Sequence, residues 1–193
     1  MTPDQLRSPA RRADAEHNRS KIFAAAREAF ADPDAEVSMA EVARRAHVGM
    51  ATLYRNFPGR RELLEALYLD EVNAVCEAAR ALDGETPGVL FTAWLRRFFA
   101  FFINKQPVGA ELLRQSGGQA PVMSESRARV MAAGRPLLEA AQRNHEVRND
   151  LTLEQIIDMI VAIAAIHGNP DYLQPILQTA LNGLTPNAAL RSM

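Results

Sequence analysis

The sequence has a single cysteine, Cys76, among its 193 residues, and this scarcity limits the chemistry that the chain can perform. One thiol can neither form an intrachain disulfide nor supply the thiolate pairs of a structural zinc site. The four histidines are scattered, with no His-Glu-x-x-His or Glu-x-x-His spacing that would hold a metal ion. We therefore expect neither a metal nor a bound cofactor.

Long apolar runs are also absent. The longest run, residues 156–166, contains Asp158 and is shorter than the ~20 residues that span a bilayer. Residues 1–19 are polar and basic and lack the apolar centre of a secretory signal. These absences predict a cytoplasmic protein with no membrane partner.

Lysine is scarce too, since only Lys21 and Lys105 accompany the arginines. Residues 1–61 carry eleven Arg and Lys against eight Asp and Glu, whereas the remaining residues carry eleven against fifteen. The formal net charges of the two parts are thus +3 and −4. A basic N-terminal part favours a polyanionic partner, although solvated helix faces produce the same asymmetry.

Helix-forming residues are what the sequence does contain. Ala, Leu, Arg and Glu dominate, and no segment alternates apolar and polar residues as a strand would. Because 48% of the residues are hydrophobic, the chain can bury a core, and we predict an all-α fold of about nine helices. The predicted bounds are 14–31, 39–45, 50–56, 60–82, 87–105, 108–115, 123–144, 153–167 and 171–184, after a mobile basic arm over residues 1–12.

The second and third predicted helices have the arrangement of a helix-turn-helix. Ser38 and Glu41 have the spacing of a capping box, and His47-Val48-Gly49 ends the second helix. A short helix after a tight turn can enter the major groove of DNA. The spacing turns Leu53 and Phe57 inward, whereas a packing hairpin that binds no DNA would show the same pattern. The side chains that can face outward are Met50, Ala51, Thr52, Arg55 and Asn56.

A more specific indication of DNA binding comes from the segment between Val42 and Leu64, which reads VARRAHVGMATLYRNFPGRRELL. This segment closely resembles the DNA-binding signature of the TetR family of bacterial transcription regulators. The resemblance implies a helix-turn-helix DNA-binding domain over residues 1–61 and a helical ligand-binding and dimerisation domain over residues 62–193. The segment RPLLEAAQRNHEVRNDL and the aromatic helix over 87–105 resemble the ligand domain of the SbtR-type subgroup.

The resemblance also implies which residues contact DNA. Tyr54 and Arg60 occupy the phosphate-contact positions of the family, and a phenol and a guanidinium both suit phosphate oxygens. Thr52 and Arg55 are the expected base readers, because arginine can bind guanine bidentately. The complete set of expected DNA-contacting residues is Ser38, Met50, Ala51, Thr52, Tyr54, Arg55, Asn56 and Arg60.

Two residues depart from the family pattern. Asn56 stands where the family usually has a phosphate-binding histidine, and Gly49 replaces the usual Ser or Thr at the cap. Asparagine can still donate to a phosphate, and glycine is tolerated at an N-cap. The departures therefore concern the affinity for DNA more than the function.

The helix over 87–105 is apolar around most of its circumference. Such a helix is either covered on every side or lines a cavity. By resemblance, the helices of the second domain enclose the site of an unknown small-molecule effector. The expected lining residues are Trp94, Phe98, Phe102, Met131 and Met159. Trp94, Phe98 and Phe102 form an aromatic stripe along this helix. If this aromatic stripe is solid core instead, the protein would bind DNA without responding to a ligand.

The helix over 153–167 is apolar on more than one face and would leave an exposed patch in a monomer. By resemblance, the last two helices pair with their symmetry mates in a homodimer, which suits a two-fold operator. Burial within the chain is the alternative. The expected interface residues are Ile156, Ile160, Ile163, Leu177 and Leu181.

Together these inferences predict a homodimeric repressor that binds double-stranded operator DNA. A small apolar or aromatic molecule would release the repressor from that DNA. An enzyme that uses the helical pocket is the rival prediction. The sequence disfavours it because no nucleophile–base or acid–base pair has a telling spacing.

Overall fold

The regular secondary structure is entirely α-helical in the residues that the structure describes. This computed structural model describes residues 9–30, 37–81, 83, 86–115 and 121–186, with the backbone only at 9–12 and 104–107. The all-α prediction is therefore confirmed. The helices are α1 (Pro9–Ala29), α2 (Met39–Arg45), α3 (Met50–Asn56), α4 (Arg60–Ala81), α5 (Pro87–Gln115), α6 (Pro121–Arg143), α7 (Leu153–Ala164) and α8 (Pro170–Asn182).

Helix α1 begins at Pro9, earlier than the predicted start at residue 14. Proline is well accommodated in the first turn of a helix, and the Ala and Arg residues that follow have high helix propensity. Apolar periodicity marks only the later turns, where Ile22 and Phe23 are buried. The prediction of a mobile arm is thus wrong for residues 9–12, and residues 1–8 lie outside the described residues.

Helix α5 is continuous from Pro87 to Gln115, so the separate helix predicted over 108–115 is wrong. The predicted break falls beside a proline at position 107, which lacks a backbone N–H. One missing donor does not end a helix whose next turns bury Val108 and Leu112. The described residues therefore form eight helices, whereas about nine were predicted.

The starts of α7 and α2 are capped differently in the structure. At α7 the box is complete, because Thr152 and Gln155 each accept a hydrogen bond from the other's backbone N–H. At α2 only half of the box forms: Ser38 Oγ accepts from the Glu41 N–H at 3.1 Å. The Glu41 carboxylate instead accepts two bonds from the Arg44 guanidinium, since charge-assisted bonds are the stronger ones.

The chain forms two compact units. The first unit holds α1, α2, α3, the start of α4 as far as Tyr68, and the end of α5 from residue 107. The second unit holds the remainder of α4 and α5 together with α6, α7 and α8. Helices α4 and α5 therefore each supply residues to both units.

Aromatic and cationic side chains fix α3 on α1 within the first unit. The rings of Phe23 and Phe57 lie 5.5 Å apart between centroids. The guanidinium of Arg19 covers both rings, at 4.7 Å from Phe23 and 5.1 Å from Phe57. Leu53 of α3 and Ile22 of α1 have no exposed surface. This packing holds α3 by one face and leaves the opposite face uncovered.

The second unit buries all five side chains that the sequence analysis assigned to a subunit interface. None of them is more than 7% exposed. A side chain that has almost no surface in one chain has almost none to offer a partner, so burial within the chain accounts for these apolar residues without an interface. The alternative, burial within the chain, is what the structure shows for Ile156, Ile160, Ile163, Leu177 and Leu181.

Candidate nucleic-acid interface and effector region

A four-residue turn joins α2 to α3. Ala46 caps the end of α2, and His47 adopts a left-handed conformation with φ of 53°. The Val48 N–H donates to the Ala43 carbonyl at 3.1 Å, which closes the turn. Gly49 then begins α3 as an N-cap without a side chain to accept a hydrogen bond. The predicted bounds of both helices agree with the structure.

Helix α3 presents one face to the first unit and the other to solvent. Leu53 and Phe57 are buried, as the spacing predicted. Met50 is 40% exposed and Tyr54 is 47% exposed, although both are large side chains with apolar surface. Ala51, Arg55 and the half-buried Thr52 and Asn56 complete the outer face.

The outer face of α3 brings the two expected base readers together. Arg55 Nη2 donates to Thr52 Oγ1 at 3.1 Å, and Arg55 Nε donates to the Ala51 carbonyl at 3.1 Å. Asn56 Nδ2 donates to the Thr52 carbonyl at 2.8 Å. Because the Arg55 bonds are exposed, exchanging them for bonds to a base edge costs little. This face can therefore donate and accept hydrogen bonds and offer apolar contacts.

Ion pairs hold several other cations of the first unit. Hydrogen bonds from Arg44, and then from Arg45, lower the pKa of the Glu41 carboxyl to about 2. On α4, Arg61 Nε lies 2.8 Å from Glu65 Oε1. These pairs are exposed, where such contacts are weak and screened by salt. Their arginines can therefore exchange partners with a polyanion.

Two expected DNA-contacting residues already have partners within the protein. Ser38 is exposed, and its hydroxyl caps α2. Arg60 Nη2 donates to Glu111 Oε1 at 2.9 Å, and the Arg60 guanidinium lies 4.9 Å from the centre of the Phe30 ring. The Arg60–Glu111 pair could not be predicted from local sequence patterns, because its members are 51 residues apart.

In the second unit, the aromatic stripe of α5 is anchored in the core at Trp94. Trp94 has no exposed surface, and its indole Nε1 donates to the Val75 carbonyl at 3.2 Å. An added Cβ on Gly134 of α6 would lie 2.2 Å from the Trp94 ring, so only glycine allows this close approach. The ring of Phe98 lies 6.1 Å from that of Trp94 and 6.3 Å from that of Phe102.

The five expected effector-lining residues differ in burial. Trp94, Phe98 and Met131 are buried, whereas Phe102 and Met159 are half-buried. The stripe therefore continues from the interior to a partly open end. Ser126 was not among the expected residues, and its hydroxyl is buried with no hydrogen-bond partner among the described residues. Ser126 lies eight residues before Gly134, on the same face of α6, and this spacing could have indicated from the sequence that Ser126 is buried.

An open pocket of about 650 Å³ lies elsewhere in the second unit, and none of the five expected residues lines it. It lies where the start of α5, the loop after α6 and the end of α8 meet. Its walls are mostly apolar and include Val89, Thr92, Arg96, Val147, Leu181 and Leu184. This pocket leaves room for a small molecule, whereas Trp94, Phe98 and Met131 are packed in the interior.

Other kinds of site find no support among the residues that the structure describes. Within those ranges, no three His, Cys, Asp or Glu side chains come close enough to hold a metal ion. No helix there is both long enough and apolar enough to cross a membrane.

Two family profiles match the chain. Residues 22–67 match the profile of bacterial regulatory proteins of the TetR family. Residues 86–186, more than half of the chain, match the C-terminal domain of SbtR-like transcriptional regulators. No curated protein matches the chain significantly.

Solved structures give the same result. A TetR transcriptional regulator from Streptomyces coelicolor is 32% identical, with a TM-score of 0.76, and the match covers 88% of this chain and 99% of the other. A TetR regulator from Mycobacterium vanbaalenii is 28% identical, with a TM-score of 0.71 and coverage of 91% and 99%. The chain therefore belongs to the TetR family of bacterial transcription regulators, which are ligand-responsive DNA-binding proteins and not enzymes.

Proposed function

We propose that this protein is a homodimeric transcriptional repressor that a small apolar or aromatic molecule releases from its operator. The observation that supports DNA readout most strongly is the uncovered outer face of α3, which carries Thr52 and Arg55 on a scaffold held by Phe57. A double-stranded operator would take this face in its major groove. Since its target is chromosomal DNA, the protein would act in the cytoplasm.

A solved structure supports the mode of DNA binding. CprB from Streptomyces coelicolor, 19% identical with a TM-score of 0.64, has been solved in complex with its biological operator. The fold is the same over 89% of this chain, so the same docking is sterically reasonable. We propose that Met50 and Ala51 contact bases by apolar surface, and that Tyr54, Asn56 and Ser38 contact the phosphate backbone.

Selection of bound duplexes from a random library tests this readout. Once the wild-type operator is known, Arg55→Ala should relax the preference at one base pair in each half-site, at a cost of about 1–3 kcal/mol. Arg143→Ala, which removes an exposed arginine from α6 in the second unit, is the matched control and should leave the preference unchanged. A uniform loss over all sequences with Arg55→Ala would show that this residue contacts phosphate only.

For the effector, we propose the aromatic stripe of α5, because Phe102 at one end of it is only half-buried. The half-buried Phe102 lies next to the buried Phe98, with the two rings tilted by 47°, so a ring-shaped ligand could extend this row of aromatic contacts. A ligand must prefer the released state by about 10⁴-fold to change operator occupancy completely. The open pocket beside Thr92 is the second candidate, on the basis of its volume.

A thermal-shift screen with aromatic and aliphatic metabolites would find ligands, and two variants would then locate the site. Phe98→Ala should alter ligand-driven release while leaving ligand-free DNA binding intact. Thr92→Phe, which fills the open pocket, is the matched control and should leave release unchanged. The opposite pattern would move the effector site to the pocket. In solid core, Phe98→Ala would cost the full ~3–5 kcal/mol of stability and leave induction normal in the folded fraction.

A further inference from the structure

The side chain of Arg60 is held on the protein from two sides. Its guanidinium lies 4.9 Å from the centre of the Phe30 ring of the first unit. Its Nε and Nη2 atoms both donate to Glu111 Oε1, at 3.1 and 2.9 Å. Only 27% of the Arg60 side chain is exposed. One complete edge of the guanidinium is therefore occupied by a carboxylate.

Glu111 does not depend on Arg60 for its own hydrogen bonds. Arg114 Nε donates to Glu111 Oε2 at 2.7 Å, and Arg114 Nη2 donates to Oε1 at 2.8 Å. Gln115 Nε2 donates to Oε1 at 2.7 Å. Both of these partners lie on the same helix as Glu111. If Arg60 turned away, the carboxylate would keep three hydrogen bonds, so the departure of Arg60 would leave no bare charge.

The carboxylate is ionised at every pH near neutrality. The hydrogen bond from Arg114 is the largest cause that lowers the pKa of Glu111 to about 2, and Gln115 and Arg60 also lower it. A full negative charge thus lies against a guanidinium that stands at a phosphate-contact position of the family. A phosphate oxygen and Glu111 Oε1 would accept hydrogen bonds from the same edge of the Arg60 guanidinium.

We propose that Glu111 competes with DNA phosphate for Arg60 and so lowers the affinity of the protein for DNA. In the DNA-free protein, Glu111 holds the guanidinium against Phe30. On DNA, a phosphate displaces Glu111, and Arg114 and Gln115 retain the carboxylate. This inference rests on the proposed function, because it requires that Arg60 contacts the DNA backbone.

The position of Glu111 on α5 could link the Arg60–Glu111 contact to ligand binding. Glu111 lies on α5, the helix that also carries Trp94 and Phe98 of the proposed effector lining. The residue that restrains the phosphate contact therefore belongs to the same continuous helix as the residues proposed to contact the ligand. A change in α5 that strengthened the hold of Glu111 on Arg60 would weaken DNA binding.

Binding of a fluorescein-labelled duplex of random sequence tests the competition, because phosphate contacts do not depend on base sequence. Glu111→Gln should bind this duplex about two- to fivefold more tightly than wild type near 100 mM salt, as expected for release of a partly exposed ion pair. Because Arg60 contacts a phosphate in both complexes, the slope of log affinity against log salt should stay the same, and the gain should lie in the affinity itself.

Two further variants separate the contact from its charge. Glu111→Asp keeps the charge but shortens the side chain, so it should show part of the same gain. Arg60→Gln should bind more weakly than wild type, and adding Glu111→Gln to it should bring no further gain. Glu65→Gln, which removes an equal charge from the exposed pair with Arg61, is the matched control, and its effect should not depend on Arg60.

The outcomes are distinct. Unchanged or weaker binding by Glu111→Gln would overturn the competition while leaving the proposed function intact. A gain that persists undiminished in the Arg60→Gln background, or that Glu111→Asp lacks altogether, would reduce it to a general charge effect and overturn it too. If wild type bound neither random nor selected duplexes at low salt, the proposed function would fail, and this inference with it. Circular dichroism melting at the assay salt confirms that each variant is folded.

Discussion

Among single residues, one buried side chain of the second unit is polar, that of Ser126. Ser126 lies on the inner face of α6, on which Val130, Gly134 and Leu138 are also buried. Its side chain is 1% exposed, and its hydroxyl has no hydrogen-bond partner among the residues that the structure describes. Burying a hydroxyl without a partner costs roughly 1–3 kcal/mol. Ser126 is thus a site where the fold loses stability.

We expect Ser126→Ala to raise the free energy of unfolding by about 1 kcal/mol, because the change removes an unpaired hydroxyl and little volume. Urea denaturation followed by circular dichroism measures this difference. Ser20→Ala is the matched control, since the Ser20 hydroxyl is exposed and donates to the Glu16 carbonyl. That variant should change stability by less than about 0.5 kcal/mol. A clear loss with Ser126→Ala would show that the hydroxyl has a partner.

A second prediction for a single residue concerns Glu111 and the loss of protein stability at low pH. Its pKa in the folded protein is about 2, below the ordinary value of 4.5, because Arg114, Gln115 and Arg60 stabilise the charged form. A lowered pKa contributes stability that is complete above pH 4.5 and is lost as the pH falls towards 2. Wild type should therefore lose more stability than Glu111→Gln between pH 4.5 and pH 2. Urea midpoints across this range measure it, and parallel curves for the two proteins would contradict the assignment.

At the scale of the helices, agreement between sequence and structure follows the range of the interactions. The bounds of α2 and α3 were predicted at both ends, because Ser38 and Gly49 are local start signals. The start of α1 at Pro9 and the continuity of α5 were missed. Helix propensity determines the start of α1, and burial of Leu112 stabilises the continuous α5. Neither effect changes the apolar periodicity around the boundary, so neither could be predicted from it.

The cap of α3 gives a prediction for one helix. Gly49 has a φ of −69°, which any residue can adopt, and an added Cβ would meet no atom within 4 Å. We expect Gly49→Ser to raise the free energy of unfolding by about 0.5–1 kcal/mol, since the hydroxyl would cap α3 and the unfolded chain would lose freedom. Gly49→Ala is the control, because it restricts the chain without a cap. Thermal melting should rank serine above alanine, and the reverse order would argue against a capping role.

At the scale of the whole molecule, the sequence identified the apolar faces but not what covers them. The periodicity of α7 and α8 is the same whether Ile160 packs against its own chain or against a partner. The structure buries Ile160, while Ile166 remains 39% exposed and Tyr172 remains 59% exposed. Ala162 is also exposed and Ile176 is half-buried. We therefore assign the proposed dimer interface to Ala162, Ile166, Tyr172 and Ile176.

Two substitutions distinguish this interface from the core. Ile166→Asp combined with Tyr172→Asp should give a folded monomer, because a carboxylate on each exposed position would be desolvated only in a dimer. Ile160→Asp should instead unfold the second unit, because it buries an unpaired charge within the chain. Light scattering measures the mass and circular dichroism the folding.

Three results would contradict this assignment. If the double variant stayed dimeric, the interface would have to lie elsewhere. A folded monomeric Ile160→Asp would return that residue to the interface. A wild-type protein with the mass of one chain would contradict the dimer itself.

The contact between Trp94 and Gly134 has a practical consequence, because Trp94 is the only tryptophan in the chain. Intrinsic tryptophan fluorescence therefore reports on the second unit only, whereas helical circular dichroism reports on both units. Following one denaturation with both signals compares the stability of the two units without labels or truncation. Coincident transitions would mean that the molecule unfolds as one cooperative system, and separate transitions would mean that either unit can lose its structure while the other keeps its own.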